Sequence, residues 1–142
     1  MFKRLEMFMI SIFILGVATQ FGCSNPSSSQ QEQLHNISHE AITKASKAAS
    51  DFSICVALTA RAYSNSKESA SDIADASIAK CQGSLNDYEM QMSVYYGATV
   101  DLYNQNGPYA RARQAANDLR AQTRQMAISQ ILDYRLKNTQ NQ

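Results

Sequence analysis

Residues 74–102, ADASIAKCQGSLNDYEMQMSVYYGATVDL, contain the most regular pattern of the chain. Apolar or small side chains recur there at alternating steps of four and three residues: Ala74, Ile78, Cys81, Leu85, Tyr88, Met92, Tyr95, Thr99 and Leu102. This spacing places them on one face of an α-helix, as in the heptads of packed helices. The pattern predicts a continuous or mildly kinked helix that packs against a partner helix along its whole length.

Turn signals flank this segment. Residues 64–69 are polar, and Ser69 is predicted to cap the helix with Asp72 at the favourable third position. Residues 104–108 end in Gly107 and Pro108, which suit the end of one helix and the first turn of the next. Helical stripes lie on both sides: Leu34, Ile37, Ala41, Ala45, Ala48, Phe52, Cys55, Thr59 and Ala62 before the turns, and Ala112, Ala116, Leu119, Met126, Ala127, Ile131 and Leu132 after them.

The predicted fold class is therefore all-α. Residues 32–142 are expected to form an antiparallel up-down-up bundle of three helices. Gly83 and Ser84, with Asp87 three residues after Ser84, leave an alternative of four shorter helices.

Two cysteines support the proposed hairpin. The midpoint of Cys55 and Cys81 is position 68, within the predicted turn, and both residues lie on the facing stripes. Residues equidistant from such a turn lie at the same height, as a disulfide requires. We expect a Cys55–Cys81 disulfide, with two buried free thiols as the alternative.

The N-terminus is typical of an export signal. Lys3 and Arg4 precede an apolar run over residues 8–18, which is too short to span a membrane permanently. Residues 1–22 are therefore predicted to be a signal peptide. Cys23 and the Ser-rich segment to residue 31 are predicted to form a flexible tether.

The order of basic start, apolar run, Gly22, Cys23 and polar tether resembles the signal of bacterial lipoproteins. This resemblance implies cleavage before Cys23 and lipid, including a fatty acyl group such as palmitate, on its thiol and new amino group. The resemblance also implies, from Ser24 rather than Asp after the cysteine, sorting to the outer membrane of a Gram-negative cell, facing the periplasm. Ordinary signal cleavage after Ala18 is the alternative, and it would leave an odd number of thiols.

No catalytic constellation is evident. His35 and His39 are one turn apart, but Asn36 stands where a zinc-protease motif needs Glu, and no further His exists. The sequence has no Gly-x-Ser-x-Gly elbow and no Gly-rich phosphate loop. We expect a non-enzymatic protein without metal or cofactor.

Two surfaces are candidates for binding. Tyr96, Val100 and Tyr103 form a stripe beside the heptad positions, which a three-helix bundle would not fully cover. Residues 108–142 contain six basic and two acidic residues, and Arg113, Arg120 and Arg124 lie near one face of the last helix. The alternative for these arginines is pairing with residues 24–107, which contain five basic and nine acidic residues.

The whole chain is nearly neutral, with 13 Lys and Arg against 12 Asp and Glu, which together with export disfavours nucleic acid. The sequence favours an envelope lipoprotein, lipid-anchored in the membrane through Cys23, whose helical domain binds another envelope protein. A binder of a small ligand or envelope polymer, or a self-assembling structural lipoprotein that forms homo-oligomers, is the alternative.

Overall fold

The computed structural model describes residues 27–99 and 107–140. They form α1 (Ser28–Tyr63), α2 (Ala70–Lys80), α3 (Gln82–Thr99) and α4 (Gly107–Gln140), and no strand occurs in these two ranges. The all-α fold class is confirmed. Residues 28–31, which the sequence analysis assigned to the tether, belong to the first turn of α1.

Polar side chains define where helices begin. Ser69 Oγ accepts a hydrogen bond of 3.1 Å from the backbone N–H of Asp72, so the predicted cap of the second helix is confirmed. At the start of α1, Gln30 Oε1 accepts a bond of 3.0 Å from the backbone N–H of Ser27. Each contact satisfies a backbone donor that has no partner within its helix.

The long predicted helix over residues 70–102 is interrupted, so the described chain has four helices rather than three. The interruption is the single residue Cys81, not the Gly83-Ser84 pair considered in the four-helix alternative. The backbone N–H of Cys81 is shared between the carbonyl oxygens of Ser77 at 3.2 Å and Ile78 at 3.0 Å. Sharing of this kind tightens the last turn of a helix, which separates α2 from α3.

Contacts between helices show in which direction they run relative to one another. Cys55 of α1 forms a disulfide with Cys81, with Cα atoms 5.9 Å apart, as predicted. Ala45 of α1 clusters with Met92 of α3 and Ala112 of α4. Residue numbers therefore increase along α1 in the direction in which they decrease through α3 and α2, so α1 runs antiparallel to both.

Helices α1 and α4 run in the same direction. Their early residues Ala45 and Ala112 share a cluster, and near their late ends Arg135 contacts the carbonyl oxygen of Ser64. The turn after α1 therefore lies beside the C-terminal part of α4.

The core is built from few large side chains. Phe52, Leu85, Ile131 and Val56 are essentially inaccessible to solvent. Around them, eight buried alanines bring the helices close together: Ala41, Ala45, Ala48, Ala60, Ala74, Ala112, Ala116 and Ala127. Small residues at helix contacts limit the apolar area that each residue buries, so stability depends strongly on individual cross-links and polar contacts.

Some predicted stripe positions are exposed. Leu34 and Ile37 of α1, and Met126 and Leu132 of α4, are all more than two-fifths exposed. The inward face of α4 instead includes Thr123, which is 2% exposed. This polar residue does not belong to the apolar pattern from which the stripe was drawn.

Within the two described ranges, no helix has the length and apolar character that crossing a membrane requires.

Candidate functional site

The predicted arginine face of α4 is largely occupied by contacts within the protein. Arg124 Nε donates to Asp75 Oδ1 at 2.7 Å, and its Nη2 donates to Asp75 Oδ2 at 2.9 Å. The same Nη2 also donates to Ser71 Oγ. This two-pronged geometry is the strongest arrangement that an arginine and a carboxylate adopt.

The ion pair affects both titratable groups. Hydrogen bonding to Arg124, more than simple charge attraction, lowers the pKa of Asp75. Hydrogen bonding to Asp75 likewise raises the pKa of Arg124. The charge of Arg124 is thus used to hold α4 against α2, which agrees with the pairing alternative given above.

The other two predicted arginines contact α3 rather than α2. Arg113 Nε lies 3.8 Å from Glu89 Oε1, with both side chains well exposed. Arg120 Nη2 donates to Gln82 Oε1 at 3.2 Å. All three arginines therefore lie along the contact of α4 with α2 and α3.

Tyr96 is only partly available to a partner. It is half-buried against the cluster of Ala45, Met92 and Ala112, and its ring contacts Tyr95 edge-on with centroids 5.3 Å apart. Val100 and Tyr103, the other predicted members of the stripe, lie outside the described residues, as does Cys23.

A more exposed apolar surface is formed by residues of α3 and of the first turn of α4. Met90, Val94 and Tyr109 are 55%, 42% and 67% exposed, and we call these three residues the α3–α4 patch. Met90 and Val94 are one turn apart on α3, and Met90 and Tyr109 line one groove of about 390 Å³. Methionine and tyrosine are enriched in protein interfaces, where they combine large contact area with adaptable or polar atoms.

Sequence reasoning named Met90 and Tyr109 only as part of an apolar segment. Their pairing across a groove depends on how α3 and α4 are rotated, which the one-dimensional pattern did not give. The exposed position of Met90 could have been found from its offset from Met92, since residues two apart lie on different helix faces.

The role of Arg135 was also not predicted from the sequence. Its Nε donates to the carbonyl oxygen of Ser64 at 2.8 Å, and its Nη2 donates to those of Ser66 at 2.9 Å and Glu68 at 2.8 Å. The half-buried guanidinium therefore fixes the turn between α1 and α2 onto α4.

The other carboxylate whose pKa is shifted, that of Glu40, lies at the surface. Hydrogen bonding to Lys44, followed by its charge, lowers the pKa of Glu40. Like Asp75, Glu40 is thus stabilised in its ionised form by a neighbouring cation.

Across residues 27–99 and 107–140, no three His, Cys, Asp or Glu side chains are grouped as metal ligands.

Comparison with known protein families, with curated proteins and with solved structures found no match to this chain.

Proposed function

We propose that this protein is a non-enzymatic lipoprotein of the bacterial envelope whose helical domain binds another envelope protein. The lipobox-like signal ending at Cys23 supports the lipid anchor and the outer-membrane location. Helix α1 begins at Ser28, five positions after Cys23, so the domain starts close in sequence to the proposed anchor.

The α3–α4 patch is the observation that carries the binding proposal. It presents a methionine, a valine and a tyrosine from two helices on one surface, and each side chain is at least two-fifths exposed. A few such residues at the centre of an interface supply most of its binding energy. The partner should therefore present a complementary apolar surface that covers Met90 and Tyr109.

The arginine face supports a partner protein over an anionic polymer. Arg124 already makes its two-pronged bond to Asp75, and Arg113 and Arg120 each have a partner on α3. A polymer would have to compete with these contacts for the cationic groups.

The test is crosslinking in the native cells, followed by purification of the full chain through a C-terminal tag. We expect one envelope protein to be recovered in stoichiometric amount. Met90→Ser and Tyr109→Ser should each reduce its recovery by about tenfold, a typical effect for a central interface residue.

Met126→Ser provides a matched control. Met126 is 50% exposed, close to the 55% of Met90, but lies on α4 away from the patch. Its substitution should leave recovery unchanged. Recovery of this chain alone would instead support self-assembly, and equal loss in the Met90 and Met126 variants would contradict a role for the α3–α4 patch.

A further inference from the structure

A second groove lies between α1 and α4, on a different side of the bundle from the α3–α4 patch. Its volume is about 630 Å³. Ile131, which is 1% exposed, contributes to its apolar base together with the half-buried Ala57. Leu58 and the half-buried ring of Tyr134 add further apolar surface.

Positive charge is concentrated toward one end of this groove. Because α1 and α4 run in the same direction, Arg61 and Lys137 both lie on the side nearest the turn that follows α1. In the described part of the chain, neither cation has a carboxylate within 4 Å. Asp133 also lines the groove, which leaves a net charge of +1 from these three groups.

The polar groups around Tyr134 also favour negative charge. The side-chain amides of Asn138 and Asn65, and then the charge of Arg61, lower the pKa of the Tyr134 phenol. The same donors that stabilise a phenolate can stabilise a carboxylate placed beside them. Asn138 Nδ2 donates to Asn65 Oδ1 at 3.3 Å, which holds these amides at the end of the groove.

The dimensions suit a small molecule better than a protein segment. From Gln130 to Asn138 the groove follows α4 for about 12 Å, and its volume lies within the usual range for small-ligand sites. An apolar base with cations at one end matches a ligand that has an apolar chain and one acidic head.

We propose that the α1–α4 groove binds a single-chain amphiphilic carboxylate of the fatty-acid class. Its chain lies along Ala57, Leu58 and Ile131, and its carboxylate lies between Arg61 and Lys137. This inference is independent of the proposed partner protein, because the two surfaces share no residue.

The test uses the full chain in membranes isolated from the native cells. The membranes are treated with decanoate that carries a diazirine on its chain, and the labelled residues are located by mass spectrometry after illumination. We expect labelling at Leu58 and Tyr134, and unlabelled decanoate should compete with it. The equivalent diazirine alcohol, which has no carboxylate, should label these residues at least about tenfold less.

Variants separate the contributions of charge and apolar contact. Arg61→Gln combined with Lys137→Gln should reduce labelling by about tenfold or more. Lys67→Gln combined with Arg111→Gln removes the same charge from exposed positions outside the groove and should have no effect. Leu58→Ser should reduce labelling, whereas Leu136→Ser should not, although the two leucines are 64% and 61% exposed.

Several outcomes would overturn the proposal. They are equal labelling by the alcohol, unchanged labelling in the Arg61 and Lys137 double variant, and labelling centred on the outer surface at Leu136. Crosslinks between Lys137 residues of two chains in the absence of probe would show that the groove is an interface between copies. The comparison of acid with alcohol requires no substitution, so it remains decisive even if a variant folds poorly.

Discussion

The guanidinium of Arg135 donates a hydrogen bond of 2.8 Å to the main-chain oxygen of Ser64, at the point where α1 ends. Ser64 itself is fully buried, so its carbonyl group depends on partners within the protein. The same guanidinium reaches two further carbonyl oxygens of the turn. One side chain thus satisfies three carbonyl acceptors, one at the end of α1 and two in the turn that follows it.

Replacing Arg135 should therefore destabilise the whole domain. We expect Arg135→Met to lower the free energy of unfolding by about 2 to 4 kcal/mol, because charged hydrogen bonds to a partly buried turn are lost. Arg135→Lys should recover little, since an ammonium lacks the planar fork that reaches several oxygens. Urea unfolding would measure both. An effect no larger than that of Arg111→Met, at an exposed position, would contradict this account.

The disulfide should contribute about as much to the free energy of unfolding as Arg135 does. Cys55 and Cys81 are separated by 26 positions, and closing a loop of that size stabilises a fold by about 3 to 4 kcal/mol through the entropy of the unfolded chain. Replacing both cysteines with serine should lower the midpoint of urea unfolding accordingly. The thiol-reducing agent that lowers the midpoint of the native chain should leave the double variant unchanged, which provides the control.

Thr123 offers a substitution that should stabilise the protein. Its hydroxyl is buried, and among the described residues Oγ1 has no hydrogen-bond partner. Thr123→Val keeps the shape of the side chain and removes the unsatisfied group, so we expect a gain of about 1 kcal/mol in the free energy of unfolding. Thr43→Val, at an exposed position, is the control and should change stability by less than about 0.5 kcal/mol. A loss of stability in the Thr123 variant would show that its hydroxyl has a partner in solution.

The Asp75–Arg124 pair should make stability depend on pH in the acidic range. The pKa of Asp75 is lowered in the folded state from its ordinary value of 3.8. Its contribution is therefore fully present above the unfolded pKa and is lost as the pH falls through the folded one. Asp75→Asn should flatten this part of the stability profile, and salt should weaken the effect because the pair is exposed. Urea midpoints measured across this range would contradict the prediction if the native protein and the Asp75→Asn variant lost stability in parallel.

The proposed lipid anchor is tested by the intact mass of the protein extracted from membranes. We expect a mature chain that begins at Cys23 and carries the added mass of acyl groups. Cys23→Ser should abolish the acylation and leave the chain unprocessed at this position. A chain that begins at Thr19 without acyl mass would identify ordinary signal cleavage instead.

The features that the sequence predicted are those that depend on spacing. Alternating steps of four and three placed Leu85 and Met92 on the buried face, and the symmetric positions of Cys55 and Cys81 identified the disulfide. Ser69 was recognisable because a cap bonds to a residue close in sequence. In each case the relevant partner is local or related by the symmetry of a hairpin.

The features that were missed depend on how helices are rotated about their axes and on hydrogen bonds to backbone groups. Arg135 binds carbonyl oxygens 67 to 71 residues earlier, and no side-chain pattern encodes such acceptors. The interruption at Cys81 arises from one shared backbone N–H, which leaves no trace in the apolar spacing. Met90 and Tyr109 could be identified as apolar, but their common groove depends on how two helices are turned toward each other.

The length of α1 determines how far each surface can lie from the proposed lipid anchor. Ala45, at the level of the cluster beside the α3–α4 patch, lies about 25 Å along the helix from Ser28, and Leu58 lies about 45 Å from it. In a chain held by its lipidated end, the patch would remain within reach of the membrane-proximal parts of neighbouring proteins. The groove would lie nearly twice as far along α1, so one helix would place the two surfaces at different distances from the proposed anchor.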